Sequence, residues 1–93
     1  MMRVHYDPLK NQRNIEERGL SFDDAALFEF ETALFHVDER FDYGETRYVA
    51  LGLLGTRVHV LCFSETSDGI RVISFRKANT REAGRYAQVK KPD

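Results

Sequence analysis

The sequence predicts a single α+β domain, in which a sheet of antiparallel strands packs against helices. Two observations favour this class. Cap and turn residues typical of helices occupy the N-terminal part, whereas the stretch 46–76 alternates apolar and polar side chains with the period of two that strands show. The chain has 93 residues, enough for one hydrophobic core, so we expect residues 1–93 to form one domain.

The N-terminal elements are predicted as a strand and two helices. RVHY at 3–6 is a short strand candidate. Asp7 and Pro8 then suit the N-cap and the first helical position, and Gly19 suits the left-handed residue that ends a helix near 18. A second helix is expected from Ser21. Its core-facing stripe consists of Phe22, Ala25, Ala26 and Phe30.

The second half predicts a four-stranded antiparallel meander and a C-terminal helix. Gly55 and the pair Asp68-Gly69 are typical of hairpin turns. The last helix begins after Asn79, an N-cap residue with Glu82 three positions later. We expect all helices to cover one face of the sheet, which leaves the other face free for function. The predicted strands are 33–37, 46–53, 57–64 and 70–76.

Composition excludes several classes of function. No apolar run approaches membrane-spanning length, and the start of the chain lacks a signal-peptide pattern, so a cytoplasmic protein without membrane contact is expected. The single cysteine, Cys62, cannot form an intrachain disulfide and is expected to be a buried thiol. The histidines lack metal-ligand spacing and there is no glycine-rich phosphate loop, so neither a metal nor a cofactor is expected.

Charge is unevenly distributed along the chain. Residues 1–45 contain five Lys/Arg and eleven Asp/Glu, whereas residues 46–93 contain nine and four. The strands and last helix therefore have a net charge of +5 on a chain of net charge −1. This split could give one basic face on a nearly neutral protein, a pattern typical of proteins that bind a polyanion. A generic solvated surface with a chance asymmetry is the alternative interpretation.

The basic residues suit ribonuclease chemistry without a metal ion. RNA supplies its own nucleophile, the 2′-hydroxyl, so an enzyme needs a base, cations that hold the phosphate charge, and an acid for the leaving oxygen. Guanidinium groups can hold two phosphate oxygens, and carboxylates, histidine or tyrosine can move protons. Each candidate also has a structural alternative: Glu82 as a helix cap, His59 and Tyr86 as packed side chains, and Glu45 with Arg47 as a surface ion pair.

Three blocks of residues, in order over about 6–86, resemble the BrnT family of ribonuclease toxins from type II toxin–antitoxin pairs. The first block is Asp7, Lys10, Asn14, Gly19 and Ser21-Phe22-Asp23; the second is Glu45, Arg47 and Gly52; the third is Ile73-Ser74, Arg76, Ala78, Glu82 and Tyr86. Phe75 stands where the family has Ala. Glu17-Arg18 replaces the usual Lys-His before the glycine, and a guanidinium does not titrate near neutrality.

The resemblance implies a RelE-like fold, RNA cleavage that arrests translation, and a hetero-oligomer with a BrnA-like ribbon-helix-helix antitoxin. We expect Arg47 and Arg76 to lie on one exposed face, within reach of a common phosphate. Two other hypotheses remain open: an RNA- or protein-binding relative without cleavage, and an interaction domain unrelated to nucleic acid. The candidate catalytic residues are Glu45, Arg47, Arg76 and Tyr86, and the candidate substrate-binding residues are Arg18, His59, Arg71 and Lys77.

Overall fold

A computed structural model describes residues 2–92 as a five-stranded mixed sheet with helical segments on both sides. The spatial strand order is β1-β5-β4-β3-β2, in which β1 runs parallel to β5 and the other neighbours are antiparallel. Strand ends agree with the predicted ones to within two residues. The strands are β1 (Arg3–His5), β2 (Leu34–Val37), β3 (Tyr48–Leu54), β4 (Arg57–Thr66) and β5 (Gly69–Lys77), and the helices are α1 (Pro8–Arg18) and α2 (Thr80–Lys90).

Helix α1 begins and ends at the predicted residues. The Asp7 side chain accepts a hydrogen bond from Leu9 N–H, and Gly19 ends the helix with φ of 65°. The helix lies beside β5, where Asn14 Nδ2 donates a hydrogen bond to the Phe75 carbonyl oxygen at 3.0 Å. The short β1 pairs only with the start of β5, so the Phe75 carbonyl oxygen lies on a part of that strand edge that β1 does not reach. Asn14 supplies its hydrogen bond instead.

The predicted second α-helix is wrong. The chain forms two short 3₁₀ segments instead, Phe22–Leu27 and Phe30–Thr32, separated by Phe28 in an extended conformation. Phe22, Ala25 and Phe28 are all buried, whereas Ala26 is exposed. A spacing of three residues places side chains on one line in a 3₁₀ turn, so these apolar residues suit the tighter turn as well as an α-helix.

The sheet buries a different set of side chains on each face. On the first, which we call the aromatic face, Ala50, Leu61 and Phe75 pack against the 3₁₀ segments through Phe22 and Phe28. On the second, which we call the α2 face, Leu51 and Val60 pack against Tyr86 of α2. The expectation that all helices cover one face is therefore wrong, since each face carries its own apolar cluster and needs its own cover.

The C-terminal helix begins as predicted. Asn79 Oδ1 accepts a hydrogen bond from Glu82 N–H at 2.8 Å, and Glu82 Oε1 accepts one from Asn79 N–H at 2.9 Å. This reciprocal capping box fixes the first turn of α2 directly after β5. The helix covers the part of the α2 face near Leu51 and Val60 and leaves the rest of that face open. No helix within residues 2–92 is long and apolar enough to cross a membrane.

Candidate active site

An open groove lies on the uncovered part of the α2 face. Its floor is a cross-strand row, in which His36 on β2 is opposite Val49, Val49 is opposite Cys62, and Cys62 is opposite Ser74. The loop after β2 forms one wall, and Arg76 and Glu82 form the other. The cavity has a volume of about 370 Å³. We call it the groove and define it by His36, Val49, Cys62, Ser74, Arg76 and Glu82.

Arg76 and Glu82 form a two-point ion pair at the edge of the groove. Arg76 Nη1 and Nη2 donate to the two Glu82 carboxylate oxygens at 2.8 and 3.0 Å. This pairing lowers the pKa of Glu82 to about 2, against the opposing effect of burial, and raises the pKa of Arg76. The same carboxylate caps α2, so helix and strand together fix the direction of the guanidinium.

The wall on the β2 side contains a buried carboxylate. Asp38 is 8% exposed and accepts hydrogen bonds from Arg40 Nε and Nη2, both at 2.9 Å, and from the Tyr43 hydroxyl at 3.1 Å. The Arg40 hydrogen bonds hold the pKa of Asp38 well below its usual range. Asp38 therefore stays ionised, and the loop is tied to the end of the strand by charge-assisted contacts.

A second ionic cluster lies farther along the same face. Arg47 Nε donates to Glu45 Oε2 at 3.3 Å, and Arg71 Nη2 contacts the same oxygen from β5. The Arg47 guanidinium also stacks 4.0 Å from the centre of the Tyr43 ring. Three of the candidate residues, Glu45, Arg47 and Arg71, thus come together although 26 residues separate the first from the last.

Arg47 and Arg76 lie on the same face of the sheet. Arg76 is opposite Val60, and Arg47 precedes Tyr48, whose ring stacks on Phe63 on the aromatic face; alternation then directs Arg47 to the α2 face. The register leaves their Cα atoms about 16 Å apart, given about 3.3 Å per residue along a strand and 4.8 Å between strands. Their contact with a common phosphate stays a prediction.

Two candidates, His59 and Tyr86, are largely packed in the interior, and their contact with substrate stays a prediction. His59 is 4% exposed on the aromatic face, with its ring 5.6 Å from that of Phe75 and its Nδ1 2.9 Å from the Arg57 carbonyl oxygen. Tyr86 is 8% exposed and packs against Leu51 and Val60. His59 therefore lies on the face against which the 3₁₀ segments pack, and not on the α2 face that holds the groove.

Two further candidates form a separate basic spot. Lys77 is opposite His59, which places it on the aromatic side of the sheet, away from the groove. Arg18, at the end of α1, lines a small cavity together with Leu20 and Lys77. Arg18 and Lys77 therefore line one cavity, and both lie apart from Arg47, Arg71 and Arg76.

Sequence reasoning missed three groups that line the groove. His36 falls in the predicted strand 33–37, and Asp38 and Arg40 lie between the predicted strands 33–37 and 46–53. The sequence indicates no functional role for any of the three. The alternation of LFHV separates His36 from Phe35, but only the pairing with β3 shows that His36 faces the groove. Cys62 also reaches the floor, and burial raises the pKa of its thiol. Within residues 2–92, no group of three or more His, Cys, Asp or Glu side chains is placed to hold a metal ion.

Comparisons with known proteins found a family model and a solved structure that resemble this chain. A family model described as the ribonuclease toxin BrnT of type II toxin–antitoxin systems matches residues 6–82. Among solved structures, the crystal structure of the Brucella abortus ribonuclease toxin BrnT is similar, with a TM-score of 0.62 and 27% identity over 86% of this chain and 100% of that chain. A search of curated proteins gave no match. All the groove residues fall within the matched range.

Proposed function

The chain belongs to the BrnT family of ribonuclease toxins of type II toxin–antitoxin systems, and on this basis we propose that it is an endoribonuclease that cleaves RNA without a metal ion. The observation that carries the proposal is the arrangement of Arg47, Arg71 and Arg76 on one open face beside the groove. Guanidinium groups on a rigid sheet are suited to holding phosphate oxygens where negative charge develops during phosphodiester cleavage.

In the proposed reaction the 2′-hydroxyl oxygen of RNA attacks the adjacent phosphorus. The bond from phosphorus to the 5′ oxygen breaks, a base takes the 2′ proton, and the 5′ oxygen gains a proton. Arg47 and Arg76 hold the charged phosphate oxygens, and Arg71 supports Arg47 through the shared carboxylate of Glu45. The products are a 2′,3′-cyclic phosphate and a 5′-hydroxyl. Such cleavage of RNA would inhibit translation.

The first test is cleavage of end-labelled RNA by the purified chain with excess EDTA. We expect cleavage to persist and to give the two product ends named above. Arg76→Ala should slow cleavage by on the order of 10²-fold, since it removes a donor to the phosphate. Arg57→Ala is the matched control, because Arg57 is an exposed arginine of the same sheet on the opposite face. Complete loss of activity with EDTA, restored by Mg²⁺, would contradict the metal-independent mechanism.

The second candidate function is binding of RNA or protein without cleavage. It is favoured by Glu17-Arg18, where the family pattern has Lys-His, and by the position of Arg18 at a cavity apart from the groove. A non-catalytic relative would bind RNA in the same assay and leave it intact. Retained binding with no product at any protein concentration would select this function.

A type II toxin acts with an antitoxin, and we propose that here it is a BrnA-like ribbon-helix-helix protein that forms a hetero-oligomer in the cytoplasm. The proposal rests on the family together with the arginines of the α2 face, which a partner can cover with acidic or apolar residues. We also retain the RelE-like description of the fold as a proposal. Co-expression with the neighbouring small open reading frame tests the partnership: the toxin should co-purify with that product and lose RNA cleavage.

A further inference from the structure

His36 is a solvent-exposed imidazole on the floor of the groove. It pairs with Val49 across β2 and β3, which places it on the α2 face. It lines the same 370 Å³ cavity as Arg76 and Glu82, and a smaller cavity beside it adds Arg85. A substrate phosphate held by Arg76 would therefore lie in a space that His36 also borders.

Three other titratable groups that line the groove, Glu82, Asp38 and Cys62, are poorly suited to accept a proton. The Glu82 carboxylate is held by Arg76 with its pKa lowered to about 2, and the pKa of Asp38 is lowered by Arg40. A carboxylate stabilised in this way is a weak base. The Cys62 thiol is buried with a raised pKa, so it stays protonated near neutrality. Imidazole is the side chain that ordinarily changes charge between about pH 5 and pH 8.

The chain offers a useful contrast among its histidines. His5 Nε2 is bonded to Asp68 at 2.8 Å, and His59 Nδ1 is bonded to the Arg57 carbonyl oxygen. In the part of the chain that the structure describes, neither a hydrogen bond nor an ion pair engages the His36 ring. Its two nitrogens are thus available to a ligand in the groove.

We propose that neutral His36 is the general base of the reaction, taking the proton of the 2′-hydroxyl of an RNA whose scissile phosphate is held by Arg76. The proposal rests on the proposed endoribonuclease function. The 2′ oxygen forms its bond to phosphorus as its proton passes to an imidazole nitrogen, and the bond to the 5′ oxygen breaks. That leaving oxygen takes a proton from water, which can enter because the groove is open to solvent. The imidazolium then returns its proton to solvent.

Charged side chains from three elements line the space around His36. The loop after β2 presents Asp38, Glu39 and Arg40; β5 presents Arg76; and α2 presents Glu82 and Arg85, with the Cys62 thiol on β4. Carboxylates and guanidinium groups are equal in number in this set, so no large excess of either sign acts on the ring. A bound phosphate would add negative charge next to it. That charge stabilises the imidazolium that forms when the base accepts its proton.

The test compares His36→Gln with His5→Gln, which replaces the exposed histidine of β1 outside the groove. Single-turnover cleavage of RNA is measured from about pH 5 to about pH 8, together with RNA affinity and the melting temperature of each variant. For the wild type we expect the rate to rise with pH. His36→Gln should lower the plateau by on the order of 10²-fold and remove the rise, with RNA affinity retained. His5→Gln should keep the wild-type profile.

Added imidazole should restore part of the activity of His36→Ala, since a free imidazole can occupy the vacated space. The proposal is overturned if His36→Gln keeps the wild-type rate, or if it lowers the rate but keeps the pH dependence, which would indicate a structural role. In either case wild-type cleavage persists and the endoribonuclease function stands. Failure of the wild type to cleave any RNA would instead refute the proposed function and this inference with it.

Discussion

The ion pair between Arg76 and Glu82 yields a quantitative prediction for stability, because one carboxylate performs two structural tasks. It caps α2 through Asn79 N–H at 2.9 Å and holds Arg76 by two hydrogen bonds. Glu82→Gln keeps an oxygen that can cap the helix but removes the charge that pairs with Arg76. Glu82→Ala removes both. Comparing the two variants separates the cap from the ion pair.

The expected magnitude follows from the pKa of Glu82 and its exposure. Lowering that pKa from 4.5 to about 2 corresponds in full to about 3 kcal/mol of unfolding free energy. The Glu82 and Arg76 side chains are 28% and 36% exposed, so solvent screens the interaction. We therefore expect about 1 kcal/mol from the ion pair and about 1 kcal/mol from the cap. Glu82→Gln should then cost about 1 kcal/mol and Glu82→Ala about 2 kcal/mol.

The pH dependence of the unfolding free energy is the stricter test of the ion pair between Arg76 and Glu82. The folded-state pKa is lowered, so the ion pair contributes its full stabilisation above the unfolded pKa of 4.5 and loses it as pH falls toward about 2. Urea denaturation at about pH 7 and about pH 3 should show the difference between wild type and Glu82→Gln shrinking at the lower pH. Equal differences at both pH values, or none at neutral pH, would refute the coupling between Arg76 and Glu82.

Further predictions concern backbone contact and thiol reactivity. Gly69→Ala should separate β1 from β5 and lower the melting temperature, because the added Cβ overlaps the Arg3 carbonyl oxygen and comes within 2.6 Å of Arg3 N; an unchanged melting temperature would contradict this packing. Gly84→Ala, in α2 with no neighbour within 4 Å, should raise unfolding free energy by about 0.5–1 kcal/mol, and a loss of stability would be inconsistent with an open site. Cys62 should react with iodoacetamide near neutral pH more slowly than free cysteine, since burial raises its pKa; equal rates would show an accessible thiolate.

Local signals in the sequence predicted the ends of elements well. Asp7, Gly19 and Asn79 act within a turn of their own positions, so their hydrogen bonds and backbone angles can be inferred without tertiary structure. The wrong prediction of a second α-helix also comes from relying on local signals. Its apolar residues suit either kind of helix, and the packing of Phe22 and Phe28 against the sheet decides in favour of the 3₁₀ turn.

The composition of the groove could be predicted only in part, because it depends on strand register and on which face each helix covers. His59 is buried on the aromatic face, and no local signal in the sequence indicated that the 3₁₀ segments would pack on that face. His36 faces the groove because β2 pairs with β3 in one particular register. Shifting that register by one residue would move the ring to the other face. The family motifs pointed to Arg76, which lines the groove, without such information.

The ion pair that Arg76 forms with Glu82 is compatible with phosphate binding by the same guanidinium group. A guanidinium has five N–H donors. In Arg76, Nη1 and Nη2 each give one to Glu82, and Nη1 also approaches the Lys77 carbonyl oxygen at 3.4 Å. The remaining Nε–H and Nη2–H point the same way and form the side edge of the group, which suits two oxygens of one phosphate. Glu82 therefore orients the guanidinium and leaves this edge free, so a face whose charges are mostly balanced can still bind a polyanion.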